Sequence, residues 1–312
     1  MRNAKAVKAH ISIFSACLIW GLMSPVGKDA MLNGVSGLAM VAFRVVGGAI
    51  LFWLTSIFMK SQKVPPHDML MIALAAVLGL VCNQCCFTIG LSITSPINAS
   101  IVTTTLPIIT LILAALFLHE PVTGKKVIGI FCGAAGALML ILGSASAVNA
   151  KVGDIRGDML CLVSQISFAG YLSIFKNIIK KYDVFTFQKW MFLFGSIIVI
   201  PLSFNSVVSL PWAAISVATW GETAFVVVGS TFFAYILMMI GQKVLRPTVI
   251  SMYNYVQPVV ACVVSVIAGL GVFGWGQSIA VVLVFSGVYL VTKSKSRNDM
   301  LKDAAAGNLP RK

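Results

Sequence analysis

Charge is what this chain has least of. Of its 312 residues 10% are charged, and only nine are acidic. Soluble domains carry about 25% charged residues. With 59% hydrophobic residues and a mean hydropathy of +0.97, a water-soluble fold of this length has nowhere to hide its apolar surface. The surrounding medium must be lipid. The acids (Asp29, Asp68, Glu120, Asp154, Asp158, Asp183, Glu222, Asp299 and Asp303) lie at the ends of apolar segments, in the polar breaks or in the tail. None sits at mid-membrane depth, where ion-coupled carriers commonly keep a carboxylate. Were such a chain to carry a solute, three ways of energising it would stay open: none at all, coupling through an end-of-helix acid such as Glu120 or Glu222, or coupling through the charge of the solute itself. Other absences exclude whole classes. The seven cysteines are odd in number and lie mostly in apolar runs, so they give no disulfide framework. The sequence has no zinc motif, phosphate-cradling glycine loop or Ser/His/Asp grouping. An enzyme working inside the membrane would need one of these or paired acids. The expectation is therefore no enzyme, no cofactor and no metal, with His10, His67 and His119 as interfacial residues near segment ends.

What is present is apolar length. Ten segments approach the 20 or so residues that cross a bilayer, at about 9–28, 36–59, 68–91, 95–118, 126–144, 157–176, 184–204, 220–241, 248–270 and 274–292. The net charge of +14 does not indicate nucleic acid, because the basic residues occupy the breaks between segments. Nineteen of the 23 fall on one side of the membrane when breaks are counted alternately. Three (Lys28, Lys151 and Arg156) fall on the other, and Arg44 lies inside a segment. This asymmetry places both termini in the cytoplasm and requires an even number of spans. The first segment is too long for a signal-peptide core, and the faint lipoprotein-like box before Cys17 would make an anchor that nine further spans render redundant. Residues 294–312 read as a mobile cytoplasmic tail.

Two stretches organise the rest. Pro96–Pro107 reads PINASIVTTTLP and Pro247–Pro258 reads PTVISMYNYVQP. A shift of 151 puts Ser100 on Ser251, Thr103 on Asn254, Thr104 on Tyr255 and Pro107 on Pro258. These positions share one helical face. A proline inside a helix frees the carbonyl four residues back, here those of Thr103 and Asn254. In hydrocarbon a freed group needs protein or a watery cavity. Two readings stand: paired broken helices lining a central path, or simple kinks whose hydroxyls bond back to their own carbonyls. The matched pair favours the path. The same shift aligns residues 77–143 with 228–294 without a gap, and a shift of 148 sets Trp20 on Phe168, Lys28 on Lys176 and Gly47 on Gly195. Each half holds five spans, so the second enters from the opposite side. The expected fold is an all-α integral membrane protein of ten transmembrane helices in two inverted five-helix repeats, 1–147 and 148–293, a common plan of secondary transporters.

Trp20-Gly21, Ser24-Pro25 and Lys28 in the first span, Arg44 in the second, and Glu120-Pro121-Val122-Thr123 closing the fourth resemble the EamA-like members of the drug/metabolite transporter superfamily. The resemblance covers nearly the whole chain. It implies an inner-membrane permease, often an exporter of amino acids or other small metabolites, with a cavity built from spans one, three, four, six, eight and nine. One departure is visible: Gly271 stands where Glu120 would repeat.

The residues themselves give the site candidates. Trp20 and Ser24, Asn83, Gln84 and Thr88, Ser100, Thr103 and Thr104, Gln165 and Tyr171, Tyr235, and Ser251, Asn254 and Tyr255 are expected to contact a small solute. Asn83 and Gln84 are costly in lipid unless they face the interior. Arg44 and Glu120 are candidates for charge and gating roles, and Pro96, Pro107, Pro247 and Pro258 for helix kinks. A charge at a helix centre costs at least about 2.5 kcal/mol, so Arg44 must find a partner. It either attracts a substrate carboxylate or clamps a neighbouring broken helix. Hydroxyls beside aromatic faces suit amino acids or amines, and the alternatives are a sensor or assembly factor, or a soft-metal or drug efflux carrier using Cys82, Cys85 and Cys86. Gly129, Gly133 and Gly136 read as close packing or a homodimer contact.

Overall fold

In the computed structural model ten helices among the described residues are long and apolar enough to cross a membrane: span one Ala4–Leu32, span two Gly37–Ile57, span three Pro66–Ile93, span four Asn98–Leu118, span five Gly124–Leu142, span six Ile155–Ile174, span seven Val184–Val208, span eight Val217–Gln242, span nine Pro247–Val264 and span ten Trp275–Thr292. The structure describes residues 2–59, 62–94, 96–148, 154–267, 275–295, 297 and 299–300. Gly271 and most of the expected tail lie outside them.

Local chemistry sets the helix ends. Ser36 caps span two by accepting from the Ala39 amide at 3.3 Å, after a turn that passes through Gly34 at φ 111°. Asp183 caps span seven through the Thr186 amide at 2.8 Å, and Ser216 caps span eight through the Thr219 amide at 3.1 Å. Span four stops at His119, which takes the left-handed φ of 52° and lets the Glu120 amide reach back to the Ala114 carbonyl at 3.1 Å.

Packing repeats between the halves. Span two lies on span seven, and span five on span ten, so equivalent helices pair across the centre. Span six takes spans three and four, while span one takes spans eight and nine, which is the same arrangement with the halves exchanged. The glycines of span five belong to this scheme. A Cβ at Gly129 would stand 2.8 Å from the Gly287 carbonyl, and one at Gly136 would stand 2.5 Å from the Ala280 carbonyl. A shift of 151 carries Gly129 to Ala280 and Gly136 to Gly287, so the two contacts are mirror partners within one chain. Gly129 and Gly136 pack on span ten and Gly133 on Tyr255 and Met252 of span nine, which is the close-packing alternative within one chain.

Candidate functional site

Spans three and eight each carry a stretch of wide turns, Val77–Cys82 and Phe225–Phe233. Shifting the first by 151 gives 228–233, inside the second. The Thr231 hydroxyl marks the widened register by donating to the Val226 carbonyl five residues back, at 3.0 Å. Inserted turns of this kind rotate whatever follows and recur at functional sites. Here Asn83 and Gln84 follow the first, and Tyr235 follows the second.

These residues meet at a central cavity of about 70 Å³, measured to the centres of water-sized occupants, which is room for a handful of waters. Gln84 Nε2 donates to the Tyr235 hydroxyl at 2.6 Å. The Trp20 ring stands edge-on to Phe168 at 6.1 Å and to Tyr235 at 6.0 Å, and its Nε1 donates to the Ser230 carbonyl at 2.8 Å. Asn83 Nδ2 donates to Ser164 Oγ at 3.0 Å and to its carbonyl at 3.2 Å. Gln257 Nε2 donates to Asn254 Oδ1 at 2.8 Å. Thr103, Gln165 and Phe87 complete much of the wall.

Gln84 and Tyr235 are 151 apart, and Trp20 and Phe168 are 148 apart. Both are pairs of repeat-equivalent positions. A position that touches its own equivalent must lie near the axis relating the halves, so the cavity sits on that axis. Thr103 and Asn254, also equivalents, both line it.

Arg44 is the one charged side chain among the described lining residues. It is 2% exposed, donates through Nε to Thr231 Oγ1 at 3.0 Å, and makes a weak 3.9 Å contact from Nη1 to the Met23 sulfur. A guanidinium has five donors. The hydroxyl and the thioether leave most of them for the cavity.

Several candidates lie elsewhere. Tyr255 is buried against span five. Its hydroxyl donates to the Thr104 carbonyl at 3.1 Å and to the Ile130 carbonyl at 3.4 Å, and Gly133 makes room for its ring. The carbonyl that finds a side-chain donor at the first break is thus that of Thr104, one residue beyond the expected Thr103. The Thr104 and Thr103 hydroxyls bond back to Ile101 and Ser100 carbonyls at 2.6 and 2.7 Å. Thr103 thus lines the cavity while its hydroxyl bonds back to its own helix. Ser251 is fully buried and bonds back to Thr248 at 3.2 Å. Tyr171 donates to Gln242 Oε1 at 3.2 Å, away from the cavity. Thr88 is buried with no hydroxyl partner among the described residues, and neither Ser24 nor Ser100 lines the cavity. The polar stripe divides because the chain between the prolines is not one helix: Thr104 and Thr105 form a tight turn, and Tyr253–Tyr255 form a short 3₁₀ turn. Pro96 and Pro247 open the two helices, while Pro107 sits in the first turn after the break. Ser164, Met23 and Phe87 were not expected from the sequence. Among the described residues no group of three His, Cys, Asp or Glu is placed to hold a metal, Cys82, Cys85 and Cys86 included.

Glu120 lies outside the cavity, at the membrane face. It receives Lys126 Nζ at 3.0 Å, Lys176 Nζ at 3.4 Å and the Thr248 hydroxyl at 3.1 Å, which ties together spans four, five, six and nine. Burial pushes its carboxyl up, but Lys126 and then Lys176 more than offset this, leaving it below the usual carboxylate value. Burial lowers Lys176, against the pull of Glu120. A second cavity of about 460 Å³ opens here, lined by Glu120, Lys176, Lys180, Val244, Leu245 and Arg246 among others.

The profile of the EamA-like transporter family matches residues 7–142 and again 155–293, once per five-span half. The chain belongs to this family. Relatives include the Bacillus subtilis (strain 168) protein named Uncharacterized transporter YyaM, 27% identical over 68% of this chain and 69% of its own length. Another, Uncharacterized transporter YetK of the same organism, is 23% identical over 95% and 90%. The Arabidopsis thaliana WAT1-related protein At2g40900 is 25% identical over 96% and 82%. One solved crystal structure superposes with a TM-score of 0.73 at 15% identity, covering 92% of this chain and 98% of that one, so the fold is shared. The protein is a multi-pass membrane transporter of the EamA-like kind.

Proposed function

We propose that this EamA-like protein is a secondary transporter, working as an exporter, for small carboxylate-bearing metabolites such as amino acids. It moves them by alternating access through the axial cavity. One observation carries the reading: the described wall offers amides, hydroxyls and aromatic faces around a single charge, Arg44, with no acid beside it. An amine alone would meet an uncompensated guanidinium. A carboxylate meets a fork that binds it through two parallel bonds, while Asn83, Gln165 and Asn254 suit an ammonium or hydroxyl and the aromatic faces suit an apolar side chain. Amines without a carboxylate fit this wall less well. The basic breaks favour a cytoplasmic face for both termini in a cell's inner membrane. With no carboxylate in the described wall, export down the solute's own outward gradient requires no ion to move with it.

The test is counterflow in proteoliposomes with an amino acid and its amide. Wild type prefers the acid, and Arg44→Gln loses about 2 kcal/mol of that preference, some thirtyfold. Equal preference in both proteins would remove Arg44 from the reading. Strong acceleration by an imposed proton gradient would return attention to Glu120 and Glu222.

A further inference from the structure

Lys28 and Lys176 occupy equivalent places at the ends of spans one and six, on opposite faces of the membrane. Lys28 Nζ caps the end of span three, donating to the carbonyls of Leu91 at 2.8 Å, Ser92 at 2.9 Å and Thr94 at 3.2 Å. The equivalent carbonyls at the end of span eight are those of Gln242, Lys243 and Leu245. That end has the same backbone form: the Leu245 amide bonds to Gly241 at 2.8 Å just as the Thr94 amide bonds to Gly90 at 2.8 Å. Yet Lys176 is not on it. It reaches Glu120 at 3.4 Å, and the 460 Å³ cavity opens between Lys176 and residues Val244 and Leu245. One face carries the lysine cap, and the other carries the same cap undone.

We propose that Lys28 and Lys176 are paired latch residues of the transport cycle. The structure holds the state in which Lys28 seals its face and Glu120 holds Lys176 away from span eight. Inverted repeats change state by exchanging conformations. In the opposite state Lys176 leaves Glu120 for the Gln242, Lys243 and Leu245 carbonyls and fills the cavity mouth, while Lys28 releases span three. This inference rests on alternating access, but not on the identity of the cargo.

Hydrogen exchange in lipid nanodiscs, without solute, reads both latches at once through the segments 91–95 and 242–246. Lys28→Gln is expected to speed exchange in 91–95 and slow it in 242–246, moving the ratio of states by about tenfold for the loss of charge-assisted bonds. Glu120→Gln, which frees Lys176, shifts both segments in the same sense. Lys176→Gln shifts both in the reverse sense. If each lysine variant alters only the segment its own side chain touches or faces, the residues are local caps and the latch is overturned. Lys28→Arg, which keeps the donors and the fold, is expected to match wild type. Where Lys28→Gln does not fold, the opposite responses to Glu120→Gln and Lys176→Gln decide. Lost reciprocity with intact flux sinks the latch alone, whereas reciprocity with a different preferred cargo sinks only the carboxylate reading.

Discussion

Gly133 gives the sharpest test of how the broken helices are held. A Cβ there would lie 2.5 Å from Tyr255 Cδ2, 2.6 Å from Cε2 and 3.0 Å from Met252 Cε. The ring cannot simply step aside, because its hydroxyl is tied to the Thr104 carbonyl at 3.1 Å and the Ile130 carbonyl at 3.4 Å. Gly133→Ala therefore overpacks a fixed aromatic, which costs about 1–3 kcal/mol. Moving the ring also strips a hydrogen bond from a buried carbonyl at the break, for about 1 kcal/mol more. A total of about 3 kcal/mol corresponds to a fall of roughly 6–10 °C in the melting midpoint. The assay is thermal unfolding in detergent, with Gly124→Ala as the control, since nothing lies within 4 Å of a Cβ at Gly124. Tyr255→Leu in the Gly133→Ala background is expected to recover part of the loss, because contacting residues are not additive. A Gly133→Ala midpoint within about 1 °C of wild type, or a strictly additive double variant, would refute the close packing of this ring.

Three further expectations follow from side chains already placed. Glu120 is held below the ordinary 4.5 by Lys126 and Lys176 despite its burial, so its contribution is complete above that value and drains as pH falls through the lower folded value. Wild type should lose more stability than Glu120→Gln between about pH 6 and 3, and parallel curves would contradict the ion pair. Arg246 bonds to the Val291, Thr292, Ser294 and Lys295 carbonyls at 3.0–3.3 Å, so Arg246→Gln should speed hydrogen exchange in 291–295. Unchanged rates there would mean the last span is capped without it. Trp20→Phe keeps the ring contacts but drops the Nε1 bond to Ser230, an expected loss of about 1 kcal/mol, against about 3–5 kcal/mol for Trp20→Ala, both read from unfolding midpoints.

The ten spans were legible because lipid demands unbroken apolar runs, and the duplication because equal shifts align whole segments. Thr103 and Asn254 were legible as cavity residues for the same reason. Their neighbours Thr104 and Tyr255 have the same polar character, but at the tight turns Thr104 bonds back to Ile101 and Tyr255 packs on span five, and side-chain spacing on an ideal helix does not register that. The wide turns of spans three and eight escaped notice too. Their placement depends on tertiary fit, such as the Tyr171 ring seated on Gly79, where a Cβ would be 2.4 Å from it. Ser164 carries no repeat partner of polar type, so only its bond from Asn83 reveals it.

The self-facing positions have a consequence for how such a chain diversifies. In an ancestor assembled from two identical copies, residue 84 would have met its own duplicate, as would 104 and 20. Gln opposite Tyr, a Thr carbonyl under a Tyr hydroxyl, and Trp edge-on to Phe are combinations that no pair of identical chains can make. In a single polypeptide each side of the seam is free to differ, and Gln84 opposite Tyr235 and Trp20 edge-on to Phe168 give the chamber two chemically different walls.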